Sequence, residues 1–578
     1  HQAVAAAIEG NPAFRTFADL QEIAFQCRAG EEEARGLVWL EKAGEEGMKI
    51  AAYRTAKSLF AEAVRIARDA RSSLLCSLEM KLAQAFYHCG EYREAAELAE
   101  SLLGRTAEGE PGQGPLYKTA GLAHSRLGHY DESKRHILAA LRFPVDVREN
   151  VELQQELVGI EIAAGNFADA EHLCKEQLIR AQDAVPPRTI ASIHTDFGIA
   201  TFFQNLFDQA EEHFGEAMKI YASAGHHARV ADAMLNIANV MSAKGEMVRA
   251  IEFWRKALVT SQEYGTLNQQ AQIHNNLGIA HFKLKRYREA AEFYTTAKDI
   301  FARLDSRQGS AFVLTNLGEV CFAEGQFERA ESLWRDAELL YRDMDDGQGI
   351  VETLLQLAQV EITLGACQSV SRDLDAAEAL IHERELDTFK FQLSFLRGVH
   401  MESLGRHEEA LLHFGRAEQT PPDEGDGERR HLLKVRAAES EYRTGKIAEA
   451  VAHAREAKAW GMGMKQPQIV AGALYLLGTI AASSPADIPE KPLPLFREGF
   501  DAIAGEPVSE LTWRLSFSLG EEYRKRGQRE RAKECFTKAR VVLRFFAGQF
   551  TSSVLRNSYL RTDDRQKILA ALDTDANT

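Results

Sequence analysis

Five polar side chains recur along this 578-residue chain at one fixed step: Asp196, Asn236, Asn276, Asn316 and Gln356 stand 40 residues apart. Each precedes by two positions a small residue, Gly198, Ala238, Gly278, Gly318 or Ala358. The series breaks at Glu156 on one side and Leu396 on the other. A carboxamide carries donors and an acceptor together, so a row of them can hydrogen-bond the main chain of an extended peptide whatever its side chains. A local role is open to them as well. Each can satisfy a nearby backbone group or cap the preceding turn, and the two roles are not exclusive. Asn239, Gln272, Asn275, Phe282, Lys283, Glu319 and Gln359 are the neighbours that would add polar and apolar contacts.

Motifs for catalysis are missing from the sequence. No G-x-x-x-x-G-K-[ST] loop is present to cradle a nucleotide phosphate, and no G-x-S-x-G elbow to present a serine. His407-Glu408-Glu409 begins like a zinc-protease helix, but no histidine follows at the required spacing. His226 and His227 are adjacent, and adjacent helical residues point about 100° apart, which makes a poor chelate. The seven cysteines are scattered and include no C-x-x-C. Most fall where a helical unit would put a small buried residue, which reads as reduced thiols in a cytoplasm. A cysteine–histidine dyad needs only to meet in space, so the sequence leaves one open. The expectation is a protein that is not an enzyme and uses no metal or cofactor.

The formal net charge of −16 repels phosphate backbones and argues against nucleic acid as a partner. No run of 18 apolar residues occurs, so no membrane span is expected. The chain starts at His1 rather than Met, which reads as a piece of something longer.

A repeat must position the polar row. Gly90, Gly128, Gly165, Gly245, Gly325, Gly365, Gly405 and Gly445 each close one helix-like segment and open the next. From Gly165 onward the step is 40 or a multiple of it, with Asn205 and Lys285 where glycine is lacking. Such a constant step is the signature of one helical unit copied many times. In the clearest copy Leu277 and Gly278 sit on one helix, Tyr287 at the turn, and Ala290, Tyr294 and Ala297 on one stripe of the next. Phe214, Trp254, Trp334, Phe414 and Phe536 take the place of Tyr294 in other copies and are expected between helices. About 13 helix pairs are expected from roughly 37 to 546. The domain reading is a helical junction or cap at 1–36, ten units at 37–418 and an acidic loop at 419–430. The array then continues at 431–546 with a loop at 483–494, and a capping helix and tail follow at 547–578. A further exposed loop is expected from Gly104 to Pro115.

The order and spacing of these small and aromatic residues resemble the tetratricopeptide repeat, a helix–turn–helix unit. Its usual length is about 34 residues. The longer step fits lengthened helices and linkers, as in kinesin light chains and related adaptors. The resemblance implies an all-α, right-handed superhelical solenoid whose first helices face a concave groove, and so puts the polar row in that groove. It also implies a non-catalytic interaction scaffold with a peptide or protein partner. Residues 1–9 with 39–44 and 56–67, and 555–560 through 569, resemble the junction and closing helix of bacterial signalling ATPases of the STAND type. On that reading the array is a sensor or docking arm, with an engine upstream of His1. The alternatives are a ligand-responsive module that changes pitch at the breaks near 420 and 485, and self-association through a missing upstream module or the outer faces.

Overall fold

A computed structural model describes residues 1–9, 16–29, 33–107, 109–110, 112–144, 146–181, 185–365, 367–421, 427–561 and 565–569. Part of the expected junction (10–15, 30–32), the centre of the acidic loop (422–426) and the end of the tail (570–578) lie outside the described residues. The described residues form helices joined by turns, with no strand among them. Thirteen helix pairs run from Glu33–Lys49 with Tyr53–Asp69 to Glu510–Lys525 with Arg529–Gly548. Gln2–Glu9 and Phe17–Ala29 precede them, and Ser553–Leu560 follows. The chain divides into two compact units, His1–Gly265 and Thr266–Thr578.

Left-handed turn residues set the step. Asn205, Gly225, Gly245, Lys285, Asp305, Gly325, Asp345, Gly365, Glu385 and Gly405 all have positive φ and, apart from position 265, follow one another 20 residues apart. This conformation lets the next N–H reach a carbonyl inside the helix just ended. Glu246 N donates to Met241 O and Arg286 N to His281 O, each at 2.9 Å. A side chain in this region costs roughly 1–2 kcal/mol, which glycine avoids. At Gly265 the backbone is instead extended, with φ −97° and ψ −172°, and the division between the two units falls there.

Within a pair, the small residue of the first helix makes room for the aromatic residue of the second. A Cβ on Gly278 would lie 2.5 Å from the Tyr294 ring, and one on Gly198 2.6 Å from Phe214. Phe214, Trp254, Tyr294, Trp334, Phe414 and Phe536 are all buried. Full burial of such a ring contributes about 1.5–3 kcal/mol. Between pairs, first helices touch first helices. Leu75–His88 meets Gln113–Arg126 in the first unit, and Leu267–Lys283 meets Arg307–Ala323 in the second. Second helices show no comparable contact with one another among the described residues.

Two expected loops are shorter than the sequence suggests. The helix Gln113–Arg126 starts inside the expected 104–115 loop. Gln113 is buried there, donating to Thr106 Oγ1 at 3.2 Å and accepting from Gly109 N at 3.0 Å. Pro492 opens the helix Pro492–Ala502, a position where its missing N–H costs nothing. The cysteines also depart from expectation. Of the six with described side chains, only Cys27, Cys174 and Cys321 are buried, Cys89 and Cys535 are half-buried and Cys76 is exposed.

In the second unit the end of the chain returns to an earlier pair. The Phe546 ring stacks on Phe327 with centroids 6.0 Å apart. Thr551 donates to the Glu328 carboxylate from N at 2.8 Å and from Oγ1 at 2.7 Å, across 223 residues of sequence. Lys285 pairs with Glu506 in the same way. Phe550, Tyr559 and Ile568 join Phe327, Trp334 and Leu357 in one buried cluster.

Candidate functional site

Helical geometry groups the candidate residues of the second unit into a grid. On Leu267–Lys283, Gln272, Asn276, Ile279 and Lys283 share one stripe, because they are spaced by four, three and four residues. The equivalent stripes are Phe312, Asn316, Glu319 and Ala323 on Arg307–Ala323, and Glu352, Gln356, Gln359 and Thr363 on Gly347–Leu364. Gly278 and Leu277 turn the other way, into the core under Tyr294. Gln272, Phe312, Lys283 and Gln359 are exposed, Asn276, Asn316 and Glu319 are half-buried, and Gln356 and Asn275 are buried.

Neighbouring helices are tied through this face. Asn316 Nδ2 donates to Asn275 Oδ1 at 3.0 Å, and Gln356 Nε2 donates to Glu319 Oε1 at 3.1 Å. Burial pushes the Glu319 carboxyl up to about 7, and the charge of Glu352 adds to the shift. Phe282 does not join the stripe. Its ring packs on Tyr287 at 5.5 Å, within the core of the pair.

In the first unit, Asp196 and Asn236 are half-buried on Pro187–Phe203 and His227–Ala243. Burial pushes Asp196 up to about 7, with the Glu156 charge acting the same way. Asn239 Oδ1 accepts from Trp254 Nε1 at 3.2 Å, so this amide holds the aromatic ring of its own pair.

Sequence reasoning missed a charged seam on the first helices of the second unit. Arg436 Nη2 lies 3.0 Å from Glu402 Oε2, and both Arg436 and Arg514 approach Glu439 at 3.9 Å. Burial raises Glu402, with Arg436 opposing. Burial also works against ionisation of Glu439, but Arg514 and Arg436 outweigh it and hold that carboxyl below its usual range. Beside the seam lies a pocket of about 360 Å³, lined among others by Tyr442, Tyr475, Trp513, Arg514, Phe517 and Lys525. The 40-residue period carried no sign of it, because these residues do not recur. Among the described residues no helix is long and apolar enough to cross a membrane.

Helix pairs with a small-to-aromatic seam and a polar first-helix face define a helical-repeat solenoid. Family models described as the tetratricopeptide repeat match residues 229–303 and 514–539. No curated protein matches the chain in sequence. Solved structures similar to this chain include the apo form of RapI, at 13% identity over 62% of this chain and 99% of that one, with a TM-score of 0.42. The apo quorum sensor NprR from B. thuringiensis is 15% identical over 59% of this chain and 96% of that one, with a TM-score of 0.45. A signal transduction ATPase of the STAND class with a tetratricopeptide repeat sensor, from Pyrococcus horikoshii, is 15% identical over 60% of this chain, with a TM-score of 0.43. This chain spans 54% of that protein.

Proposed function

We propose that the chain is a non-catalytic scaffold that holds an extended peptide, or an extended segment of a protein partner, on its first-helix face. It would serve as the sensor or docking arm of a signalling protein, in a reducing compartment such as the cytoplasm. The grid of the second unit carries this reading. Exposed Gln272, Lys283 and Gln359 offer donors and acceptors on the same first-helix face as the exposed ring of Phe312, which suits a peptide backbone with an apolar side chain. The test is selection of a displayed random-peptide library on the full chain. Binding is then measured again with Gln272→Ala, Phe312→Ala and Gln359→Ala combined. Loss of at least tenfold in affinity with an unchanged unfolding midpoint is expected. Peptides held equally by both forms would move binding off this face.

A second reading, a ligand-responsive module, draws on the return contact at Glu328 and Thr551. Opening of that contact would change the dimensions of the second unit. A saturating ligand that leaves small-angle scattering unaltered counts against it.

A further inference from the structure

Three side chains from three consecutive helices of the first unit meet at one point. Glu100 lies on Tyr92–Leu103, His124 on Gln113–Arg126 and His136 on Tyr130–Ala140. Both imidazole Nε2 atoms address the same carboxylate oxygen, with His124 at 2.9 Å and His136 at 3.2 Å from Glu100 Oε1. The two rings are parallel within 6°, their centroids 5.5 Å apart. All three candidate ligand atoms lie within 4.8 Å of one another. An ion bound at about 2.0–2.2 Å by nitrogen and oxygen holds tetrahedral neighbours roughly 3.3–3.6 Å apart, so only small side-chain shifts separate this cluster from a ligand set.

The surroundings suit a metal. His124 is buried, with 8% of its surface exposed, whereas Glu100 reaches solvent, so the open side of the cluster faces outward. His124 Nδ1 lies 3.3 Å from His129 Nδ1. Two ring nitrogens at that distance share one proton. With it on His124 Nδ1, the Nε2 atom of His124 keeps its lone pair for a metal, and exposed His129 is the orienting partner.

We propose that Glu100, His124 and His136 form a binding site for a divalent late first-row transition metal, with zinc the best fit. Two imidazoles and one carboxylate are a zinc ligand set with a place left for water, whereas calcium and magnesium take oxygen ligands. His129 is a positioning residue, and the ion ties together helices from two successive pairs.

The experiment uses the full, tag-free chain, stripped with a chelator and titrated with Zn²⁺ against a competing chromogenic chelator. Co²⁺ is added in parallel and followed by visible absorption. One ion per chain is expected, with the Co²⁺ spectrum of a low-coordinate nitrogen and oxygen site. His124→Ala and His136→Ala should each weaken Zn²⁺ at least tenfold, with helicity checked by circular dichroism. Glu100→Gln keeps the size and a hydrogen-bond acceptor, so it tests the carboxylate without emptying the seam, and it should also weaken binding. His129→Asn should cost about tenfold in affinity without changing stoichiometry. A wild-type chain that takes up no ion at this stoichiometry overturns the proposal. So does a folded set of variants that binds as tightly as the wild type.

Discussion

One position of the repeat does different work in the two units. In Thr266–Thr578, Asn316 donates to Asn275 of the preceding first helix, and Gln356 donates to Glu319. In His1–Gly265 the corresponding Asn236 side chain makes no hydrogen bond among the described residues. The difference lies one residue away from the polar row. Where the second unit has Asn275, the first has Thr195, a shorter side chain held back on its own helix by the bond its hydroxyl donates to Ala191 O at 2.9 Å. The period fixes where a side chain stands, and its neighbours decide whether it ties the array together or faces a partner. A second contrast is the return of the chain end onto Phe327 and Glu328, which gives the second unit a contact over long sequence distance.

The largest expected effect comes from cutting that return. Phe546→Ala empties a buried ring site against Phe327 and should cost about 3–5 kcal/mol. Hydrogen exchange read segment by segment should show the loss in Thr266–Thr578 and leave the protection of 1–265 unchanged. Equal loss in both units would erase the contrast. Next, Asn316→Ala leaves the buried Asn275 carbonyl without its donor, at about 1–3 kcal/mol in urea denaturation. Asn236→Ala, at the same place in the repeat, should stay within about 0.5 kcal/mol. Equal costs would mean that the two units use this position alike.

Smaller effects test the turns and the buried acids. No atom comes within 4 Å of a Cβ added to Gly405, so Gly405→Ala should cost only the left-handed backbone term, about 1–2 kcal/mol in the same denaturation assay. Asp196 has a pKa raised from 3.8 to about 7, so the folded state binds the extra proton. Stability contributed there is greatest below pH 3.8 and falls as pH rises toward 7. Asp196→Asn should therefore flatten the pH dependence of the first unit across that window and raise its stability at pH 8. A variant with the wild-type pH profile would show that burial does not govern this carboxyl.

Much of the fold was legible because its physics is local. Glycine at Gly245 or Gly325 marks a turn that needs positive φ, and Gly278 with Tyr294 marks a close helix contact. The second set of turns was hidden, because Asp305, Asp345 and Glu385 take the same conformation without glycine. The return of Phe546 and Tyr559 was also hidden, since an apolar stripe tells that a helix is buried but not against what. The loops at 104–115 and 483–494 were overextended by reading Gly and Pro as breakers, although Pro492 starts a helix and Gln113 is buried inside one. The polar row was legible as a spacing. Its bonds to Asn275 and Glu319 were not, because they depend on residues outside the row. The meeting of Glu100, His124 and His136 has no signature in spacing, since it is assembled from three helices.

Hydrogen exchange of the full chain, with and without a peptide selected on it, would show directly which helices hold the partner. Protection concentrated on Leu267–Lys283, Arg307–Ala323 and Gly347–Leu364 is expected, with little change on the second helices of the same pairs. Protection confined to second helices such as Tyr287–Arg303 and Phe327–Asp343 would contradict binding on the first-helix face.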